Sequence, residues 1–484
     1  MNLTEVILWF LRNILFINIL LAILIVFFER RNPTSVWAWL MILFFIPIVG
    51  FILYLFLGQD LRRKKMFKEK EEEDQMQNMI HIQEQSLYDN EFQFYDPELE
   101  SFRDMVHFHL KSNNALYSSN NSVKILVDGD EKFHHLIESI KNAKQYIHME
   151  YYIIRNDALG KEIVSLLSEK AAEGVEVKLL YDGMGCIWLP RKFFNPIIKA
   201  GGQVCAFFPP FIPYLNLRMN FRNHRKICII DGQEGFVGGL NIGVEYLGLS
   251  KKFGYWRDTH LLIRGHAVDS LQARFLLDWN FSSIQNKITD RKPYFPEKSQ
   301  VGNTGIQIVS SGPDSKWHGI KNGFIKMIME AEKNIYIQTP YFVPDDSILE
   351  ALKVAALSGV DVRIMIPNKP DHPFVYWASL SYIAELLQAG ARCYTYEKGF
   401  IHCKTMTVDG LVNTVGTANM DIRSFKLNFE VNAFVYDPAV TKKLEKIFIQ
   451  DIQDSEEITI EKYKKRPYWI RFKESISRLL SPIL

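Results

Sequence analysis

The sequence predicts an α/β protein in which one α-β-α domain occurs twice, the two copies sharing one cleft behind an N-terminal transmembrane helical hairpin. Three observations carry this. Two long apolar segments open the chain, short apolar runs alternate with amphipathic stretches from about residue 120, and "NHRKICIIDG" (223–232) returns in spacing as "IHCKTMTVDG" (401–410).

Residues 6–28 are almost wholly apolar with one charge, Arg12, and residues 36–57 carry none. Each segment is long enough to cross about 30 Å of hydrocarbon as a helix. A cleaved signal peptide fits less well, because no small-residue cleavage site follows the first segment and the second begins seven residues later. The short link "ERRNPTS" makes the pair a hairpin, and residues 1–58 are assigned to it. Arg62, Arg63, Lys64, Lys65 and Lys68 outnumber Arg30 and Arg31 in the link. The protein is therefore expected in the cell membrane, crossing it twice, with the remainder of the chain and its domains in the cytoplasm. Residues 59–119 form a charged linker and entry segment, and "KEKEEEDQMQN" within it reads as a solvated linker or a surface helix.

The repeat begins beyond this segment. "YIHMEYYII" reads as strand, "GKEIVSLLSEKAAEG" as helix and "VEVKLLYDG" as strand; "NIYIQTPYFV", "DSILEALKVAALSG" and "VDVRIMIP" give the same order again. Strand-helix-strand alternation marks mostly parallel sheet, and its recurrence marks two domains of one fold, 120–290 and 302–455. Residues 456–484 remain as a basic amphipathic C-terminal segment. The near balance of 57 basic and 55 acidic residues argues against a nucleic-acid-binding surface. Five scattered cysteines without C-x-x-C spacing read as reduced, buried thiols.

His224 and His402 lie 178 positions apart (402 minus 224), each followed by lysine at the second position (Lys226, Lys404) and aspartate at the seventh (Asp231, Asp409). Gly238 and Gly416 fall seven residues after those aspartates, and Asn241 and Asn419 ten after. In a strand, His and Lys two apart share one side. If the halves face each other, two imidazoles and two ammonium groups converge on one pocket, and such charge calls for an anion. Metal is disfavoured, since protonated lysine is a poor ligand and neither histidine has a Cys or carboxylate at zinc-like spacing. An extended strand puts each motif aspartate roughly 20 Å from its histidine, so geometry makes Asp231 and Asp409 structural, ion-paired to hold the hairpin. Glu430 in "NFEVNAFVYD" and Asp258 in "YWRDTHLLI" occupy corresponding places on the next predicted strands. They are the better imidazole orienters, and Glu430 at least is expected to fix a histidine's tautomer.

These motifs, "HRKICIID" with "GGLN" and "HCKTMTVD" with "GTANMD", resemble the signatures of the phospholipase D superfamily over residues 120–455. With the hairpin, the whole chain is similar to the bacterial cardiolipin synthases of that superfamily. The first copy carries "GGLN" where many members have serine after the glycine, and a small residue is kept. The resemblance implies phosphatidyl transfer without cofactor or metal, from one phosphatidylglycerol to another, giving cardiolipin and glycerol. It carries His224, Lys226, Asp231, His402, Lys404 and Asp409 as the catalytic set. In that chemistry a neutral histidine attacks phosphorus and a protonated one serves the leaving glycerol, so the two rings are expected in different protonation states. His224 is assigned as nucleophile and His402 as acid, with the reverse left open by the near-symmetry. Lys226, Lys404, Asn241 and Asn419 are expected to hold the phosphoryl oxygens.

Phosphatidylglycerol and anionic membrane lipids are the expected partners, with no nucleic acid. The apolar stretch 207–221 reads equally as a rim for lipid entry or as ordinary loop packing. In "WIRFKESISRLLSPIL", Phe472, Ile476, Leu479, Leu480 and Ile483 share a helical face beside Arg471, Lys473 and Arg478. That pattern fits an interfacial helix on anionic lipid or docking to the protein's own core. A hydrolase yielding phosphatidic acid and a catalytically idle membrane protein are the competing functions.

Overall fold

The computed structural model describes residues 3–28, 33–57, 74–89, 91–209, 220–283 and 285–482. It divides into a small unit holding the N-terminal helices and a large one of Glu73–Pro209 and Arg222–Leu484.

In the small unit, α1 (Leu3–Phe28) is followed by α2 (Pro33–Phe45) and α3 (Pro47–Leu57). The second apolar segment is thus broken at Ile46, because Pro47 has no N–H to give the Leu43 carbonyl four residues back. Asn18 of α1 compensates: its Nδ2 donates to the carbonyls of Leu43 and Pro47, both at 3.0 Å. Trp39 and Tyr54 meet edge-on across the break, 5.3 Å between ring centroids. Side chains of α1 are described continuously only over 12–23, and among the described residues no helix is long and apolar enough to cross a membrane.

The large unit opens with α4 (Asp74–Tyr88) and α5 (Arg103–Asn113). Residues 58–73, which include the start of the expected charged linker, lie outside the described residues, but the chain from α4 onward is no free linker. Ile80, Leu87, Phe102 and Leu110 enter the core of the second repeat. Gln83 also clamps the backbone of Tyr117, donating to its carbonyl at 2.9 Å and accepting from its N–H at 2.8 Å.

A short strand, β1 (Tyr117–Ser118), joins the sheet of the second repeat, and the first repeat comprises β2 (Asn121–Asp128), α6 (Gly129–Asn142), β3 (Tyr146–Tyr151), α7 (Ala158–Ala172), β4 (Glu176–Asp182), α8 (Asn195–Lys199), β5 (Gln203–Phe207), β6 (Arg222–Asn223), β7 (Ile227–Ile230), β8 (Glu234–Gly238), β9 (Tyr255–Gly265) and α9 (Ala267–Ser282). The second comprises β10 (Gly305–Ser311), α10 (Gly319–Glu330), β11 (Asn334–Gln338), β12 (Phe342–Val343), α11 (Asp346–Leu357), β13 (Asp361–Pro367), α12 (Pro373–Gln388), β14 (Arg392–Tyr396), β15 (Gly399–Ile401), β16 (Thr405–Val408), β17 (Val412–Gly416), β18 (Met420–Asp421), α13 (Ile422–Lys426), β19 (Asn428–Tyr436) and α14 (Pro438–Gln453). The chain closes with β20 (Ser455–Ile458), α15 (Ile460–Lys464) and α16 (Tyr468–Leu479).

Each repeat builds its own sheet on one plan. Strands β3, β4 and β5 pair in parallel, as do β11, β13 and β14, while β7 and β16 join them antiparallel. Alternation along the strands separates two helical layers. Ile147, Met149, Cys228 and Ile230 face the core shared with α6 and α7, whereas His148 stacks on Phe275 of α9 across the sheet. The α-β-α sandwich predicted from the alternation is therefore present twice.

The two sheets are also cross-stitched. Strand β6 of the first repeat pairs in parallel with β19 of the second, and β15 of the second pairs in parallel with β9 of the first. Each exchanged strand leads directly into one of the paired motifs.

Candidate active site

Neither motif is one continuous strand, as period-two spacing had suggested. Residues 224–226 link β6 to β7, and residues 402–404 link β15 to β16, so each His-x-Lys bridges the two sheets. The backbone N–H of His224 donates to Phe429 at 2.9 Å, and that of His402 to Arg257 at 2.7 Å. Each histidine is thus anchored to the strand of the opposite repeat that carries a buried carboxylate one residue further on.

That crossing decides which acid serves which base. His224 Nδ1 lies 2.9 and 3.0 Å from the two oxygens of Glu430, and His402 Nδ1 lies 2.7 Å from Asp258. A carboxylate at Nδ1 requires the proton there and leaves Nε2 with its lone pair. Glu430 is itself held by Thr417 Oγ1 at 2.5 Å and Asn428 Nδ2 at 3.1 Å, while Asp258 accepts from the backbone N–H of Thr259 at 2.7 Å. Burial works against the Glu430 charge, but His224, Lys226 and Thr417 together hold its carboxyl below the ordinary range.

The lysines repeat the symmetry, since each Nζ donates at 2.6 Å to the carbonyl of its own histidine. The Lys404 ammonium also lies over the His402 ring, 3.1 Å from Nδ1 and 3.2 Å from Nε2. Burial pushes both lysines below their usual range. Burial likewise pushes both imidazoles down to about 4, with the carboxylates opposing and the lysines of both repeats adding to the effect. The near-twofold arrangement gives each ring the same surroundings, namely burial, one carboxylate and the two lysines.

Aromatic rings wall the histidines, Tyr152 edge-on to His224 at 4.9 Å and Trp256 5.3 Å from His402. Beneath the first motif, Arg225 forms a buried ion pair with Asp278 at 2.6 Å and donates to the Glu430 carbonyl at 3.2 Å. Cys403 takes the corresponding place in the second, donating to the Arg257 carbonyl at 3.6 Å. The Asn223 N–H donates to Asp182 at 2.7 Å, and burial pushes that carboxyl up to about 6. Sequence reasoning passed over Tyr152, Trp256, Asp182 and Thr417, which stand outside the motifs. Only the placement of aromatics and carboxylates at strand ends could have flagged them.

The motif aspartates do a different job from the ion pairing expected of them. Asp231 accepts from the backbone N–H groups of Lys144, Gln145 and Tyr146 at 2.8, 2.7 and 2.8 Å. Asp409 does the same for Glu332, Lys333 and Asn334 at 2.8, 2.7 and 2.8 Å. Both residues adopt positive φ, +52° and +56°. Each ties the turn after the motif strand to the start of β3 or β11, and among the described residues no hydrogen bond joins either to an imidazole. Asn241 is engaged as well, accepting from Ile153 N–H at 3.1 Å and donating to Tyr246 at 3.3 Å. Asn419 bonds the Asp421 carboxyl, and its Oδ1 is buried with no hydrogen-bond partner among the described residues. The expected apolar rim lies largely outside the described residues, which omit 210–219.

Similar proteins share both the domains and the whole length. The family profile described as "Cardiolipin synthase, PLD-like domain" matches residues 136–270 and 324–452, and "Phospholipase_D-nuclease N-terminal" matches 16–59. The major cardiolipin synthase ClsA of Bacillus subtilis is 52% identical over 469 residues, covering 97% of both chains. A cardiolipin synthase of Listeria monocytogenes is 52% identical over 472 residues, covering 97% of this chain and 98% of its own. Among solved structures, the phosphatidylserine synthase of Haemophilus influenzae aligns with a TM-score of 0.61 at 16% identity, over 79% of this chain and all of that one, which shows a common fold.

Proposed function

This chain belongs to the cardiolipin synthases built on phospholipase D-like domains, and from that membership we propose that it joins two phosphatidylglycerols into cardiolipin with release of glycerol. The observation that carries the proposal is the pair of imidazoles, each bound at Nδ1 to a carboxylate of the opposite repeat. Such a pair leaves two Nε2 atoms to divide nucleophile and acid between them.

The negative charge of the first phosphodiester favours a second proton on His402, at Nε2. In the first step His224 Nε2 attacks the phosphorus of that lipid, the bond to the headgroup glycerol oxygen breaks, and His402 passes its Nε2 proton to that oxygen and becomes neutral. In the second, a headgroup hydroxyl of another lipid gives its proton back to His402 and attacks phosphorus, breaking the P–N bond and freeing His224. Glu430, held by three donors, balances the positive charge on phosphorylated His224. Lys404 lies beside the ring that must gain and lose a proton. An arriving phosphodiester supplies the negative charge that favours protonated Lys226 and Lys404, whose remaining N–H groups hold its oxygens. Asp231 and Asp409 act through the backbone turns they cap, and Asn241 and Asn419 through the loops they brace.

The same reading places the N-terminal helices in the membrane as a hairpin with the repeats on the cytoplasmic side. Its support is the apolar content of 6–28 and 36–57, the basic cluster at 62–68 and the N-terminal family match. The test is product analysis with phosphatidylglycerol labelled in its phosphate and headgroup. Cardiolipin with matching glycerol is the expected result; phosphatidic acid as the product overturns the transfer step in favour of hydrolysis.

A further inference from the structure

The C-terminal helix is docked the wrong way round for a helix whose purpose is to close a protein core. Helix α16 lies along α12 through its polar side: Glu474 and Ser477 are buried, and Glu474 takes Arg466 at 2.8 Å and Tyr463 at 3.2 Å. Arg478 bonds Glu385 of α12 and covers the ring of Tyr382 at 4.5 Å, and Lys473 lies 5.2 Å from the ring of Trp377. The opposite side is apolar and open. Tyr468 is 85% exposed, Trp469 74%, Phe472 57%, Ile476 39% and Leu479 77%. At about 100° per residue these five fall within an arc of roughly 100°, nearly opposite the docked side.

An amphipathic helix in water gains by burying its apolar stripe, so a helix that spends its polar side on the protein is built to place the stripe elsewhere. Its surroundings say what that is. Residues 460–484 hold seven basic residues against two acidic, in a chain whose net charge is only +2. Lys464, Lys465, Arg471 and Lys473 are exposed, with Arg471 and Lys473 on either flank of the apolar arc. Aromatic and aliphatic side chains bordered by exposed cations match the interface of an anionic bilayer, where rings enter the headgroup boundary and cations meet phosphates.

The position fits as well. Helices α12 and α16 run parallel, since Lys473 meets Trp377 and Arg478 meets Tyr382 and Glu385. Tyr468 and Trp469 therefore lie towards the start of α12, where Phe374 is also exposed. Just before that start, Asp371 accepts from Tyr341 and acts electrostatically on the catalytic Lys404.

We propose that the Tyr468–Leu479 face is a membrane-docking surface that seats the catalytic repeats on anionic lipid, with the bilayer surface near the cleft end of α12. The inference rests on the lipid substrate of the proposed function, but its test does not depend on turnover. Full-length Phe472→Cys protein is labelled with an environment-sensitive dye and reconstituted into vesicles of phosphatidylglycerol or of phosphatidylcholine alone, with cardiolipin formation followed in the phosphatidylglycerol sample. The expected result is quenching by lipid-borne nitroxide and protection from aqueous iodide in phosphatidylglycerol vesicles, both at least halved by raising salt from about 0.05 to 0.5 M. Iodide access without lipid quenching, protection without lipid quenching (a protein partner), or equal lipid quenching in phosphatidylcholine overturns the proposal. Cardiolipin accumulating while the dye stays unquenched overturns the surface and leaves the proposed reaction standing. A labelled Leu479→Cys protein repeats the measurement seven residues along the same arc should the first variant fold poorly.

Discussion

Replacing Glu430 by Gln keeps the side chain's shape and removes its charge, and the geometry sets the size of the effect. Glu430 accepts from His224 Nδ1 at 2.9 and 3.0 Å, from Thr417 at 2.5 Å and from Asn428 at 3.1 Å. Glutamine has one acceptor oxygen for those three donors, and its amide nitrogen must face one of them. When His224 attacks phosphorus its ring becomes positive, and a unit charge about 3 Å away is then worth roughly 5 kcal/mol at an effective dielectric near 20. A charge-assisted hydrogen bond taken singly is worth about 1.5–3 kcal/mol. The two estimates describe the same contact, so the barrier should rise by about 3–4 kcal/mol and kcat fall roughly 10²- to 10³-fold. The assay is rapid quench with phosphate-labelled phosphatidylglycerol, separating protein-bound label from cardiolipin. Glu430→Gln should slow the appearance of bound label while lipid binding persists. Activity within about threefold of wild type, less than 1 kcal/mol, would refute the crossed pairing as the source of nucleophile activation.

Asp409→Ala removes the acceptor for three backbone N–H groups and leaves an alanine at positive φ, so it should cost about 2–4 kcal/mol of stability in denaturant titration. The folded fraction should keep its kcat, whereas a direct catalytic role predicts loss of kcat without loss of stability. His109 is buried on Phe434, neither ring nitrogen has a hydrogen-bond partner among the described residues, and burial pushes it down to about 3. Its unfolded form binds a proton below about 6.5, so its contribution is intact above that pH and is lost as pH falls towards 3. His109→Leu should therefore gain about 2–3 kcal/mol on wild type between pH 7 and 4.5, read as a shift in relative denaturation midpoints; a constant difference would place the ring in water. Asn18→Leu strips the Leu43 and Pro47 carbonyls of their donor, and should raise protease sensitivity of the reconstituted hairpin. An unchanged cleavage rate would show that other groups satisfy those carbonyls.

The duplication, the two His-x-Lys motifs and the carboxylates that orient them were all legible in the chain before folding, because each is written locally. Strand and helix periods are set by neighbours two to four residues apart, and a repeated spacing needs no structure to be seen. Glu430 and Asp258 stood out for the same reason, as matching positions on matching strands. Which carboxylate serves which histidine was not legible. The pairs His224–Glu430 and His402–Asp258 join residues 206 and 144 apart, and they exist because β6 and β15 are exchanged between sheets, a pairing that no local pattern specifies. The downward push on both imidazoles followed from the same event, since each is buried against the other repeat. The C-terminal helix makes the division plain. An apolar face and a basic border are present in its residue order, but packing against α12 settled that the polar side would be the one buried, because that choice depends on what Glu385, Tyr382 and Trp377 offer across the contact.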